Sequence, residues 1–209
     1  MTPAPAWLLE VLRPGVHGLA RLLFGVRFVN PEHVPARGPV VLAPNHVTYL
    51  DPVLVSIPIH RPLHYMTLAS FFDITGLGAV IRWARAFPVE EDEADPAAIR
   101  QAVRVLRRGE PLVIFPEGGR SPDGRLQPFR PGAFRLALAA GAPVVPVTIR
   151  GAIDVWPVHR RLPRPGRVTV TYHPPVGEAD LSPAAGRAAR RTRDAELADL
   201  VRARIATAL

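Results

Sequence analysis

Short apolar runs recur along the chain, and most of them end abruptly at a proline, a glycine or a charged loop. Pro39 to Ala43, Leu63 to Leu68, Pro111 to Phe115 and Pro143 to Ile149 are short, apolar and bounded by turn residues, which predicts buried strands. Ala86 to Val89 reads as a shorter strand or turn, and Val168 to Tyr172 alternates as a half-buried strand does. Helical stretches lie between them. Pro52 to Ile57 begins one behind Asp51. Asp95-Pro96 is a cap followed by proline in the first turn, with Ile99, Val103 and Leu106 on one face and Gly109 closing the helix. Pro131-Gly132 opens another, which carries Phe134, Leu136 and Leu138 to Gly141. Phe71 to Trp83 reads as an apolar helix weakened by Gly76 and Gly78. Ser182-Pro183 caps a last helix to Leu209, with Arg187, Arg190, Arg191 and Arg193 on a solvated face or, alternatively, against acidic lipid. Strands and helices alternate with short links, which predicts an α/β fold: a largely parallel or mixed sheet covered by helices.

Residues 6 to 28 are apolar with interspersed charges, and Pro14-Gly15 should divide them into two short helices. Trp7, Leu8, Leu12, Leu19, Leu22, Leu23 and Phe24 offer apolar surface, and the arginines among them can snorkel. That suits an interfacial helix pair lying on a membrane, and equally a helix packed on the core. The division expected is 1–27 for amphipathic, membrane-associating helices and 28–209 for one α/β domain that includes the C-terminal helix.

Composition narrows the chemistry. The chain has no Cys, which removes disulfides, thiolate zinc sites and a cysteine acyl-enzyme. All 26 Lys-plus-Arg positions are arginine, so Schiff-base chemistry, pyridoxal phosphate attachment and the P-loop lysine are excluded. There is no Gly-x-Ser-x-Gly elbow. Pro62 lies between His60 and His64 and spoils a helical metal pair, so neither metal nor cofactor is expected. The formal charge of +8 favours anionic partners such as phosphate ligands or acidic lipid. No nucleic-acid module signature accompanies it, and nucleic acid is not an expected partner. No run is long and apolar enough for a transmembrane helix, and no signal peptide is expected.

Three strand ends carry candidate chemistry. The first is Pro44-Asn45-His46-Val47-Thr48-Tyr49-Leu50-Asp51-Pro52, where Asp51 is a natural N-cap and Pro52 fits the first helical position. Residues five apart on one helix point about 140° away from each other, so His46 and Asp51 meet only if the chain turns before the helix begins. A carboxylate on one ring nitrogen would fix the imidazole's tautomer and leave the other nitrogen to take a proton from a hydroxyl. By itself the spacing also fits a helix cap beside an ordinary loop histidine. The second strand end is Pro116-Glu117-Gly118-Gly119-Arg120-Ser121, where glycines admit an anion to the backbone and Arg120 can fork onto phosphate oxygens. Arg150 closes a third strand. A base beside an arginine loop implies a substrate with both a hydroxyl and a phosphate, and the apolar N-terminal segment suggests a lipid.

With these residues in order, the sequence resembles the glycerolipid acyltransferases typified by 1-acyl-sn-glycerol-3-phosphate acyltransferase. Asn45-His46, Thr48 and Asp51-Pro52 match the family's first block, and Phe115-Pro116-Glu117-Gly118-Gly119-Arg120-Ser121 matches its Phe-Pro-Glu-Gly block. Val145 to Gly151 is similar to its Val-Pro-Val block, and Arg130-Pro131-Gly132 stands where Lys-x-Gly is common. The likeness covers about residues 28 to 178. It departs at Arg85-Ala86-Phe87-Pro88-Val89-Glu90-Glu91, where the family pattern has Gly at the first position and Arg at the last; Arg85 is the candidate substitute for the missing charge. The resemblance implies acyl transfer from acyl-CoA or acyl-carrier protein to a lysophospholipid, 1-acyl-sn-glycerol 3-phosphate in the first instance. His46 would be the base and Asp51 its partner, with Asn45, Thr48, Glu117, Gly118, Gly119, Arg120, Arg130, Arg150 and Arg85 around the substrate. The Gly118 N–H is the candidate oxyanion donor. The expected place of action is the cytoplasmic face of the cell membrane, by peripheral or monotopic contact. The alternatives are another lysolipid or an amino-lipid acceptor, or a basic membrane- or nucleic-acid-binding protein with a vestigial site.

Overall fold

The computed structural model describes residues 3–90, 95–157, 159, 160, 162–183 and 187–209, the last stretch with side chains from Thr192 onward. Glu91 and the side chains of Arg187, Arg190 and Arg191, all singled out in the sequence, lie outside the described residues. The elements in order are α1 (Ala6–Phe24), β1 (Arg27–Val29), β2 (Val40–Pro44), α2 (Asp51–Ser56), β3 (His64–Leu68), α3 (Leu77–Trp83), β4 (Ala86–Val89), α4 (Pro96–Arg107), β5 (Pro111–Val113), α5 (Gly132–Ala140), β6 (Val144–Arg150), α6 (Ala152–Val155), β7 (Thr169–Tyr172) and α7 (Arg187–Ala206).

The seven strands form one mixed sheet in the order β1-β7-β6-β2-β5-β3-β4. The block from β6 to β4 is parallel; β7 runs antiparallel to β6, and β1 parallel to β7. β2 lies in the middle and is buried on both faces, which is why it reads as a continuous apolar run. Its side chains alternate between two cores. Val40 and Leu42 pack with α1, α2 and α6 residues such as Phe24, Leu54 and Val155, while Val41 and Ala43 pack with α4, α5 and α7 residues such as Val105, Phe134 and Val201.

The N-terminal segment differs from expectation. It is one helix through Pro14, not a pair. A proline inside a helix costs about 3 kcal/mol, and tertiary ties along the segment offset it. The Ala4 N–H donates to Trp83 O, the Arg13 guanidinium donates to the carbonyls of Ser56 and Ile57 at the end of α2, and Ala20 and Phe24 are buried. The apolar stretch 71–83 also breaks in two, into a 3₁₀ turn Ala69–Phe72 and then α3, because Gly76 holds φ +81. β1 is a strand that sequence pattern did not reveal, since its three residues are too few to show a period.

Candidate active site

β2 ends at Pro44 and α2 begins at Asp51, so His46 stands just beyond the carboxyl end of the central strand. That rim is where parallel α/β sheets hold their ligands. Asp51 is not the cap of α2 but its first residue, behind Leu50 and ahead of Pro52. Its carboxylate turns back over the loop, fully buried, and accepts from four donors. Oδ2 takes His46 Nδ1 at 2.8 Å, the Val47 N–H at 2.6 Å and the Thr48 N–H at 2.8 Å; Oδ1 takes the Thr48 hydroxyl at 2.6 Å. An ionised carboxylate can only accept, so Nδ1 carries the proton and Nε2 presents its lone pair. Nε2 makes no hydrogen bond to the described residues. The ring face lies on Phe115, centroids 4.0 Å apart.

The loop after β5 fixes the backbone of His46 from both sides. The His46 N–H donates to Glu117 Oε1 at 2.6 Å, and the Ser121 N–H donates to His46 O at 2.7 Å. The other oxygen of Glu117 accepts the Gln127 N–H at 2.9 Å. Burial pushes the Glu117 carboxyl up; the backbone donors of Gln127 and His46 and the His46 imidazole pull it down, and the Asp51 charge pushes it up again. Arg120 lies 3.6 Å over the Tyr49 ring and donates to the Tyr49 hydroxyl at 2.8 Å, while its Nη1 is buried without a partner among the described residues. Gly118 holds φ +77, and a Cβ there would sit 2.3 Å from Arg130 Nε. The bare backbone thus lets the Arg130 side chain lie across the loop.

Several expected substrate contacts are otherwise engaged. The Asn45 amide donates to Ile149 O at 3.0 Å and accepts from Ile149 N–H at 2.7 Å, so it extends the β2–β6 ladder from a buried position. Thr48 is buried and orients Asp51. Glu117 holds backbone, and the Gly118 N–H is taken by Phe115 O at 3.1 Å, which removes it as an oxyanion donor. Gly119 is exposed. Arg150 is exposed at the same rim, with no hydrogen bond or ion pair to His46 or Asp51. Arg85 is at the wrong end of the sheet. It precedes β4, donates to Ala4 O at 2.8 Å and holds φ +66, a left-handed conformation that glycine adopts without strain. Tyr49, Phe115, Ser121 and Gln127 complete the arrangement; the first three sit inside the two motifs, and Gln127 carries no local signal.

An apolar cavity of about 190 Å³ opens between α1, α2, β3 and α3, lined by Leu9, Leu12, Val16, Val53, Ile57 and Tyr65 among others. Among the described residues, no helix is long and apolar enough to cross a membrane, and no cluster of His, Cys, Asp or Glu could hold a metal ion. His60 pairs with Glu10 at 2.8 Å, and His64 lies 3.1 Å from Glu110.

Comparison with known proteins bears on this geometry. The family model described as Acyltransferase matches residues 25–150. The 1-acyl-sn-glycerol-3-phosphate acyltransferase of Bacillus subtilis is 28% identical over 159 residues, covering 76% of this chain and 77% of that one. A chloroplastic 1-acyl-sn-glycerol-3-phosphate acyltransferase of Brassica napus is 29% identical, over 72% of this chain but only 45% of its own length. A lysophospholipid acyltransferase of Homo sapiens is 33% identical over 71% of this chain and 29% of its own. The crystal structure of the 1-acyl-sn-glycerophosphate acyltransferase of Thermotoga maritima superposes with a TM-score of 0.73 at 25% identity, covering 95% of this chain and 80% of that one.

Proposed function

We propose, because this chain belongs to the acyltransferase family, that it moves a fatty acyl group from acyl-CoA or acyl-carrier protein to the free hydroxyl of 1-acyl-sn-glycerol 3-phosphate, giving phosphatidic acid. The observation that carries this reading is the imidazole of His46, gripped by Asp51 at Nδ1 and left, among the described residues, with an unbonded Nε2 at the sheet rim. In direct transfer, Nε2 takes the acceptor's hydroxyl proton as that oxygen attacks the thioester carbonyl carbon. The C–O bond forms, the C–S bond breaks, and the thiolate leaves with the proton from the imidazolium. Asp51 keeps the ring in one tautomer and steadies its positive charge. Arg120, with a buried donor unpaired, and Arg130, lying across Gly118, would receive the acceptor's phosphate. The apolar cavity beside α2 offers room for an acyl chain.

We further propose that residues 1–27 form the membrane-contacting segment of a peripheral protein on the cytoplasmic face, with 28–209 as the acyltransferase domain. Trp7, Val11, Leu19 and Leu22 of α1 are exposed large apolar side chains, an arrangement that suits an interfacial helix. The test is consumption of an acyl thioester against 1-acyl-sn-glycerol 3-phosphate, a lysophosphatidylcholine and an uncharged monoacylglycerol. His46→Ala should lower kcat by about 10³-fold or more with the fold intact. Arg120→Ala should raise KM for the phosphate-bearing acceptor and leave the uncharged one nearly unchanged. A His46→Ala protein working at the wild-type rate would falsify the assignment.

A further inference from the structure

Arg202 lies on α7, outside the residues matched by the family model and outside both motifs. Its Nη2 donates to Leu126 O and its Nε to Gln127 O, each at 3.2 Å. The carbonyl of Leu126 and the N–H of Gln127 belong to one peptide group. That N–H donates to Glu117 Oε2, and Glu117 Oε1 in turn accepts the His46 N–H. A single peptide dipole therefore stands between a guanidinium and a buried carboxylate, aligned with both. In a chain of this kind each hydrogen bond polarises the next. The carboxylate has no ion pair with the described residues, and burial works against its charge.

We propose that Arg202 is a positioning residue for the acyl-transfer reaction: through the Leu126–Gln127 peptide it keeps Glu117 ionised and so holds the backbone of His46 in register with Asp51. The proposal rests on His46 as the reacting base. The helix that carries Arg202 is fastened independently, since Arg135 Nε donates to Asp194 at 2.9 Å and the Thr148 hydroxyl donates to Ile205 O at 2.9 Å. Loss of the guanidinium should therefore loosen the relay without releasing the helix. The charged or titratable groups on the loops around Glu117 are His46, Tyr49 and Asp51 after β2 and Arg120, Asp123, Arg125 and Arg130 after β5, and α7 adds Arg202, which bonds the second loop. Among the described residues, Arg202 alone donates a side-chain hydrogen bond to the peptide whose N–H reaches Glu117.

The experiment compares wild type with Arg202→Met and Arg202→Lys. Titration of the Glu117 carboxyl is followed by ¹³C NMR, its resonance assigned by loss in Glu117→Gln. In Arg202→Met the carboxyl should titrate at a pH higher by about half a unit or more, a roughly threefold shift in its ionisation constant. Arg202→Lys should return it most of the way. With acyl thioester and 1-acyl-sn-glycerol 3-phosphate, Arg202→Met should lower kcat several-fold at near-constant KM for both substrates. It should add little to the loss caused by Glu117→Gln. If Arg202→Met does not fold, Arg202→Gln, which keeps a donor without the charge, takes its place. An unmoved Glu117 titration in a folded variant overturns the proposal, as does an equal loss from Lys and Met. Absence of thioester turnover by wild type would instead count against the function assigned above and leave the titration readout standing.

Discussion

Asp51 and Glu117 divide the work at the level of single side chains. Asp51 gathers three donors from its own loop in addition to the imidazole, so its charge is met by short, charge-assisted hydrogen bonds and the ring has one place to sit. Glu117 is in a different position. It is buried with two backbone donors and, among the described residues, no side-chain cation in contact, and burial raises its pKa above the ordinary glutamate value. The native protein therefore keeps the Glu117 proton to a higher pH than the unfolded chain does. The unfolded state loses its proton first, and the Glu117 contribution to stability falls as pH rises from the ordinary glutamate range through the raised value. Glu117→Gln removes that pH-dependent penalty while one amide oxygen still accepts a backbone N–H. The difference in Tm between Glu117→Gln and wild type should therefore become more positive as pH rises above the ordinary glutamate range. Thermal melts across that rise check it; a difference constant with pH would show that the carboxyl titrates alike in both states.

At the level of elements, β2 and α1 mark what a linear pattern can and cannot show. β2 was legible because a strand buried on both faces must be apolar at every position, and because Pro44 stops it. The alternation of strands and helices followed from the same punctuation. α1 was legible as apolar but not as continuous. Its path through Pro14 depends on Arg13 reaching the carbonyls of Ser56 and Ile57, more than forty residues away, and no local signal reports such a partner. The spacing of His46 and Asp51 showed that they could meet only through a turn before α2, but not that the Asp51 carboxylate would point back into the loop and leave Leu50 at the cap. The two faces of α1 now separate in a measurable way. Leu22 is 81% exposed and Trp7 66%, whereas Phe24 is buried against the core. Trp7→Glu with Leu22→Glu should weaken co-sedimentation with phospholipid vesicles and leave Tm nearly unchanged. Phe24→Ala should cost about 3–5 kcal/mol of stability by opening a cavity. Vesicle binding that survives the double substitution would assign the membrane contact to some other surface.

Across the whole molecule, the site is assembled from segments that only the sheet brings together. Asn45 meets Ile149, His46 meets Glu117 and Ser121, and Gln127 meets Arg202; the motifs named most of these residues but not who holds whom. Arg85 shows the same limit from the other side, since its place in the motif order gave no hint that it lies at the opposite end of the sheet from His46. Charge is a property of the same scale. A chain with 26 arginines against 18 acidic residues carries +8, and this excess acts on a membrane surface as a field rather than through one contact. A proposed lipid acceptor bearing a phosphate would be concentrated by that field, and the apolar face of α1 would add a term that salt does not screen. The two contributions should separate on vesicles of different composition. On phosphatidylglycerol-containing vesicles, binding should weaken by roughly tenfold or more between about 0.1 M and 0.5 M salt, because each basic side chain near an anionic surface contributes about 1 kcal/mol within a Debye length. On purely zwitterionic vesicles it should be weaker at low salt and nearly independent of salt, with the α1 residues carrying what remains. Equal affinity for both compositions at low salt would mean that the arginine excess does not face the bilayer.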